Sequence, residues 1–356
     1  MTAIDTAQSQ KSIWKKFVGA LNKIGFSPLG LLVLIIVAIL PNFPYFSQEY
    51  IIRWMIAGAY LAAQSVAFDF TAGYINIVNF GFAALLGLGA YTSGIFANTT
   101  PFIAIAPGLS PWITIWLGAI MAGIVGFALG WLTLRLRGIF AAVMAWFVGI
   151  ALMGLATNLT FLTRGPLGMN PRKFLDTTSN LPYFYIILAM MLLIYIVLKQ
   201  VTRSNIGLAF EAIGQNRDAA RASGISPTKY LVFNFTLSAF FAGLLGGFNA
   251  HFIGSLTPQT LMHTSKTVEV LAIAYIGGRG SLWGGITVAF PFIFFINYLR
   301  SNFTDLPGLH LVIYGFLMII VMIFYPDGFS GLVKWFLNWL KGLFSGKAAS
   351  QVETEA

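Results

Sequence analysis

Few side chains in this sequence have the types and spacing that chemistry needs. The three histidines, His251, His263 and His310, are far apart, with neither metal-ligand spacing nor an HExxH pattern. No Ser/His/Asp set and no paired carboxylates stand out, so nothing recommends nucleophilic or general acid–base catalysis. There is no cysteine, which excludes disulfides and thiolate-held metals. Gly342 to Ala348, GLFSGKA, has one residue too few between its glycines for a P-loop and lacks the closing Ser or Thr. Gly277, Gly278, Gly280, Gly284 and Gly285 cluster as well, but without the Gly-Lys-Ser/Thr ending and between apolar runs. That cluster reads as a broken helix or a tight re-entry. The sequence predicts no reaction, metal or cofactor on this chain.

Solvent explains the scarcity. Hydrophobic residues make up 58% of the 356 residues and charged residues 9%, against about 25% charged in a soluble domain. Apolar runs fall at 28–46, 50–70, 73–97, 112–134, 139–161, 183–201, 230–254, 267–283, 285–300 and 309–325. A bilayer crossing takes roughly 20 residues. The predicted fold is all-α and polytopic, with about ten transmembrane helices. The stretch 50–97 is interrupted only weakly, at Thr71-Ala72-Gly73, where a continuous or a discontinuous helix would fit. The basic, amphipathic segment 1–27 and the segment 329–356, with Lys334, Asn338, Lys341 and Ser345 on one side, read as interfacial helices. No small-residue cleavage site follows the first run, which is read as a retained helix. Residues 28–328 form the membrane domain.

Ten crossings put both termini on one side. If that side is cytoplasmic, only Arg53, Arg164, Arg172, Lys173, Lys266 and Arg300 of the 21 basic residues fall outside. The asymmetry follows the positive-inside rule, and it accounts for the net charge of +10 without nucleic acid. The longest charged interval, 202–229, is then a cytoplasmic loop. In it Asn216 is a good N-cap, Asp218 meets the positive end of a short helix carried by Ala219, Ala220 and Ala222, and Gly224 closes it. Such a helix either docks in a partner's groove or is a solvated face.

Inside a bilayer a polar side chain needs a partner or water. Asn76 and Asn79 share a face if their stretch is helical. They either line a polar path or hydrogen-bond between helices. Gly81, Gly87 and Gly89 form a small-residue packing surface. Arg164 reads as an outer-side charge facing headgroups or an anionic group. Asp69 is placed at an inner helix end in water, and Glu269 at a helix start.

The segment Asp218 to Gly224, DAARASG, resembles the Glu-Ala-Ala-x-x-x-Gly motif of ABC-importer permeases, with Asp for Glu and no distal Leu-Pro. Gly73 to Tyr91, GYINIVNFGFAALLGLGAY, is similar to GYxGxxSxGHxxFxGxGAY of the branched-chain amino-acid permeases of the second-subunit (M) type. RLRGIFA at 135–141, TRGPLGM at 163–169 and VEVLAIAYIGGRGSLWG at 268–284 resemble that family's LRGxYFA, TGGxxGI and IExLxMVxIGGxGTxxG. Tyr314 to Leu332 resembles its last helix and FxPxGLxGL exit, so the likeness runs over about 28–332 in order. Asn76, Asn79 and Phe82 stand where the family has Gly, Ser and His; Asp69, Arg164 and Gly285 replace Asn, Gly and Pro.

The resemblance implies a multi-pass permease subunit in the cell inner membrane, with no chemistry of its own and hydrolysis on separate ATPase subunits. Its other implied partners are a second related permease and a periplasmic or lipid-anchored binding protein. It implies ATPase coupling through Glu211, Asp218, Ala219, Ala220 and Gly224, and a path near Asn76, Asn79, Phe82 and Arg164. Gly73, Gly277, Gly278 and Gly280 are implied at breaks. The implied solute is a branched-chain or other small amino acid, with urea, amides and small organic acids as competitors. An ion-coupled secondary transporter is the rival class, and the scarcity of intramembrane carboxylates argues against it.

Overall fold

The computed structural model describes residues 28–302 except 45, 99–107, 134, 135 and 137, with single positions between 312 and 323. The amphipathic segments expected at 1–27 and 329–356, and most of the run 309–325, lie outside the described residues. In chain order the helices are α1 (Pro28–Ile39), α2 (Glu49–Ala72), α3 (Phe82–Ala97), α4 (Pro111–Thr133), α5 (Ile139–Asn158) and α6 (Leu181–Arg203). They continue with α7 (Asn205–Gln215), α8 (Arg217–Ala222), α9 (Pro227–Ile253), α10 (Pro258–Met262), α11 (Thr264–Gly277) and α12 (Leu282–Asn302). The protein is an all-α polytopic membrane protein.

Among the described residues six helices are long and apolar enough to cross a bilayer: α2, α4, α5, α6, α9 and α12. The remaining apolar runs hold shorter helices or lie mostly outside the described residues. The helices α1, α3 and α11 have 12, 16 and 14 residues. They rise only about 18, 24 and 21 Å, against roughly 30 Å of hydrocarbon. The run 73–97 is shortened because its first part cannot continue a helix. Asn76 has φ 57°, and residues 76–79 are irregular. The Asn79 carboxamide oxygen then accepts from Gly81 N–H at 3.0 Å and turns the chain into α3. The glycine cluster ends α11 in the same way, since Gly278 (φ 104°) and Gly280 (φ 77°) take up conformations that side chains resist.

The interior is built around α9, which packs on α4, α3 and α2. Small residues let the backbones approach closely: a Cβ on Gly89 would lie 2.3 Å from the Gly243 carbonyl oxygen. Without a hydrophobic drive between helices in lipid, such packing and interhelical hydrogen bonds hold the bundle. Two of those bonds tie α9 to α2: Asn234 Nδ2 donates to the Phe70 carbonyl at 2.8 Å, and Ser238 Oγ to the Ala67 carbonyl at 2.7 Å. A third polar knot surrounds the buried His251. Its Nδ1 donates to the Arg172 carbonyl, and its Nε2 lies 2.8 Å from Ser93 Oγ and 3.2 Å from Thr114 Oγ1. A carbonyl only accepts, so Nδ1 carries a proton, and the ring serves as a cross-link.

The half-length helices meet through one hydroxyl. Thr267 Oγ1, in the first turn of α11, accepts from Ala83 N–H at 3.1 Å and donates to the Phe80 carbonyl at 3.2 Å. Thr267 is fully buried. The N-terminal ends of α3 and α11 therefore converge part-way along the long helices.

Candidate functional site

A cavity of about 740 Å3 opens between the first two-thirds of α2, the last turns of α9, and the segment that leads through α10 into α11. Arg53, Lys266 and Glu269 carry its charge; Tyr60, Gln64 and Asn249 add neutral polar groups. Ile56, Leu61, Leu86, Phe248, Phe252 and Ile293 make an apolar wall. The α2 contributors follow helical spacing, 53, 56, 57, 60, 61 and 64, so one face of α2 looks into the space. Lys266 Nζ and Glu269 Oε2 are 3.0 Å apart, with the lysine half exposed and the glutamate 15% exposed. With the lysine half exposed, water screens the pair, and both side chains line the cavity. Gln64 is buried at 6% exposure. The Tyr60 hydroxyl is hydrogen-bonded to the Asn249 side chain.

This arrangement suits an ion carrying both charges and an apolar body. Arg53 and Lys266 are donors for a carboxylate, Glu269 accepts from an ammonium, and the aliphatic and aromatic wall accommodates a hydrocarbon side chain. The start of α11 adds its dipole, which favours negative charge there.

The opposite end of α2 is closed. Asp69 is buried, and its Oδ1 accepts from Gly280 N–H at 2.9 Å. The expectation of a wet carboxylate at Asp69 is thus corrected, because the 278–281 turn covers it. Gly73 lies so close that a Cβ would be 2.4 Å from both Asp69 Oδ1 and Gly280 N. Tyr74 follows, hydrogen-bonded to the Thr202 side chain; burial pushes its phenol up to about 12. Here α7 and α8 pack against the bundle. Ser204 caps α7 by accepting from Ile206 N–H, and Asn216 Oδ1 caps α8 by accepting from Asp218 and Ala219 N–H. Gly224 follows α8 with φ 82°.

None of Asn76, Asn79, Phe82 and Arg164 lines the cavity. Asn76 is exposed beside α7, and because its stretch is not helical it shares no helix face with Asn79. Asn79 is buried and turns the chain into α3. Phe82 is buried with its ring 5.5 Å from that of Phe68. Arg164 ends the single turn Thr160–Thr163 in a left-handed conformation. In the loop, Glu211, Asp218 and Ala219 are exposed and Ala220 is buried. Gly81 and Gly87 face the Ala145 carbonyl and the Met262 side chain. From the sequence alone Arg53 and Lys266 read only as outer charges, and Glu269 only as a helix start. The stripe Arg53, Tyr60, Gln64 was a signal available in the sequence.

A family model described as "Branched-chain amino acid transport system / permease component" matches residues 50–322. The high-affinity branched-chain amino acid permease protein LivM of Escherichia coli K12 is 28% identical over 305 residues, 78% of this chain and 69% of LivM. The probable branched-chain amino acid permease protein LivH of Methanocaldococcus jannaschii is 24% identical over 292 residues, 76% of this chain and 88% of its own. The fructose import permease protein FrcC of Rhizobium meliloti is 29% identical over 148 residues, 40% of this chain and 41% of its own. No solved structure matches.

Proposed function

The chain belongs to the family of branched-chain amino acid transport system permease components, and from that premise we propose that it forms the membrane path of an ABC importer for a small amino acid with an apolar side chain. One observation carries the choice of solute. The cavity combines charges of both signs, Arg53 and Lys266 with Glu269, and an apolar wall including Ile56, Leu61 and Phe248. A neutral sugar would bring no charge of its own to match these charged side chains. Urea and simple amides would leave the wall unfilled. A small organic acid would use the cations but not Glu269.

Hydrolysis takes place on separate ATPase subunits, which the loop 202–229 meets through Glu211, Asp218, Ala219, Ala220 and Gly224. The capped, small-residue helix α8 supports this docking role. A second related permease completes the path, and a binding protein delivers the solute. The α7–α8 end faces the cytoplasm and the protein sits in the inner membrane. The chain makes ten passes with both termini inside, in which the short helices α3 and α11 each finish a pass begun by irregular chain. The positions of the basic residues support this orientation.

The test is uptake into proteoliposomes holding the permeases, ATPases and binding protein. ATP-driven leucine uptake, competed by other branched-chain amino acids and not by fructose or urea, is expected. Uptake driven by an ion gradient without ATP would refute the importer reading. For the docking assignment, Gly224→Pro forces φ from 82° to about −65°. ATPase co-purification and uptake should both be lost; survival of both would remove the loop from the interface.

A further inference from the structure

Asn76 and Arg164 are the only non-glycine residues with positive φ among the described residues. A left-handed backbone outside glycine persists when its surroundings hold it there. Asn76 is held from two sides. Its Nδ2 donates to the Gly214 carbonyl in the last turn of α7 at 2.7 Å, and its Oδ1 accepts from Arg279 Nη2 at 2.6 Å. The same three segments touch again nearby. Asp69 Oδ1 takes Gly280 N–H, the Arg279 charge acts on that carboxylate, and Gly214 lies against the Tyr74 carbonyl. The end of α7, the 73–81 link and the 278–281 turn are therefore fastened together. From that turn α11 runs back, a 14-residue rod, to Lys266 and Glu269 in the cavity. Thr267 joins the start of the rod to α3.

We propose that Asn76 and Arg279 are positioning residues that carry movement of α7 and α8 along α11 to the charged groups of the cavity. The proposal rests on the transporter reading above and adds the route between its two ends. The two ends of α11 are tied to different partners, so a shift of the turn must reappear at Lys266 and Glu269. The left-handed link gives the Asn76 carboxamide its reach to both α7 and Arg279. The sequence resemblance has glycine at this position; glycine would keep the backbone conformation and leave out both bonds.

Asn76→Gly is accordingly the cleanest test, because it preserves the backbone and removes only the side chain. Leucine uptake and ATP hydrolysis are measured per assembled complex in proteoliposomes with the ATPase and binding-protein partners. Uptake should fall about fivefold while ATP consumed per leucine rises about threefold, within the range of coupling effects for such networks. Arg279→Gln should behave alike, and the double variant should be no worse than the more severe single one, since both act through one contact. Unchanged uptake, a proportional fall in uptake and hydrolysis, additive losses in the double variant, or failure of Asn76→Gly to assemble would each overturn the relay. Wild-type complex without ATP-driven leucine uptake would sink the importer reading and this one with it.

Discussion

The two ends of α2 are one helix used in two ways. Its first two-thirds present Arg53, Tyr60 and Gln64 to an open space. Its last two turns are fastened on every side: the Ala67 and Phe70 carbonyls accept from Ser238 and Asn234, and Asp69 accepts from Gly280 N–H. Composition does not separate the ends, since both mix aromatic, small and polar residues. Partners separate them. Polar groups at one end line the cavity, and those at the other bond across to α9 and to the 278–281 turn, although Ser65 Oγ, Asp69 Oδ2 and Thr71 Oγ1 have no partner there. Recognition and anchorage differ here in what the polar groups face: a cavity at one end, packed backbone at the other.

That contrast can be broken most severely at the anchored end. Gly73→Val puts carbon atoms where Asp69 Oδ1 and Gly280 N already lie 2.4 Å from a Cβ. Overpacking of this kind costs about 1–3 kcal/mol or more, and the displaced carboxylate adds to it. Assembled permease in detergent should fall severalfold by size-exclusion chromatography, with its thermal midpoint lowered. A normal yield would mean that the turn is free to move away.

The open end should respond in function and not in folding. Arg53→Ala and Glu269→Gln each remove a charged partner from the cavity, worth about 1.5–3 kcal/mol for a hydrogen bond to a charged group. The apparent KM for leucine should rise roughly 10- to 100-fold, with the thermal midpoint of the protein unchanged. Equal losses of stability and uptake would show that the two ends are not distinct.

Much of this was legible beforehand. Apolar runs locate the helices, and Asn216 and Gly224 announce the start and end of α8 because capping is local chemistry. The glycine cluster at 277–285 signals the break that ends α11. The cavity was not legible in the same way. Arg53 and Lys266 lie more than two hundred positions apart, and each alone looks like an ordinary boundary charge. Only the fold brings them to one space. The surroundings of Asn76 were hidden for a related reason: a periodic argument assumes a helix, and a left-handed residue cancels it.

Smaller effects sharpen the anchored side. Asn234→Ala removes one interhelical bond to Phe70 and should cost about 0.6 kcal/mol, the average for such bonds in membranes, read as a lowering of the thermal midpoint by a few degrees or less. Tyr74 gives the smallest effect and one with a sign. Burial raises its phenol from 10.0 to about 12, so the folded state holds the proton longer than the unfolded chain does. Its contribution to stability is therefore constant below about pH 10 and declines as pH rises from 10 toward 12. Tyr74→Phe should flatten that decline in melts recorded from pH 8 to 11; an unchanged slope would assign the decline to other groups.

The meeting of α3 and α11 at Thr267 has an electrical consequence. Where two half-length helices abut, the bilayer's insulation is not provided by a continuous rod whose peptide groups are all paired internally. Side chains must provide it. One turn beyond Gln64 the rings of Phe68 and Phe82 meet edge to face with centroids 5.5 Å apart, each at most 1% exposed. They lie between the cavity and the fastened end of α2. Apolar side-chain packing of this kind, in a core that continues around both rings, and not paired backbone alone, is what separates ions in the cavity from the other end of α2.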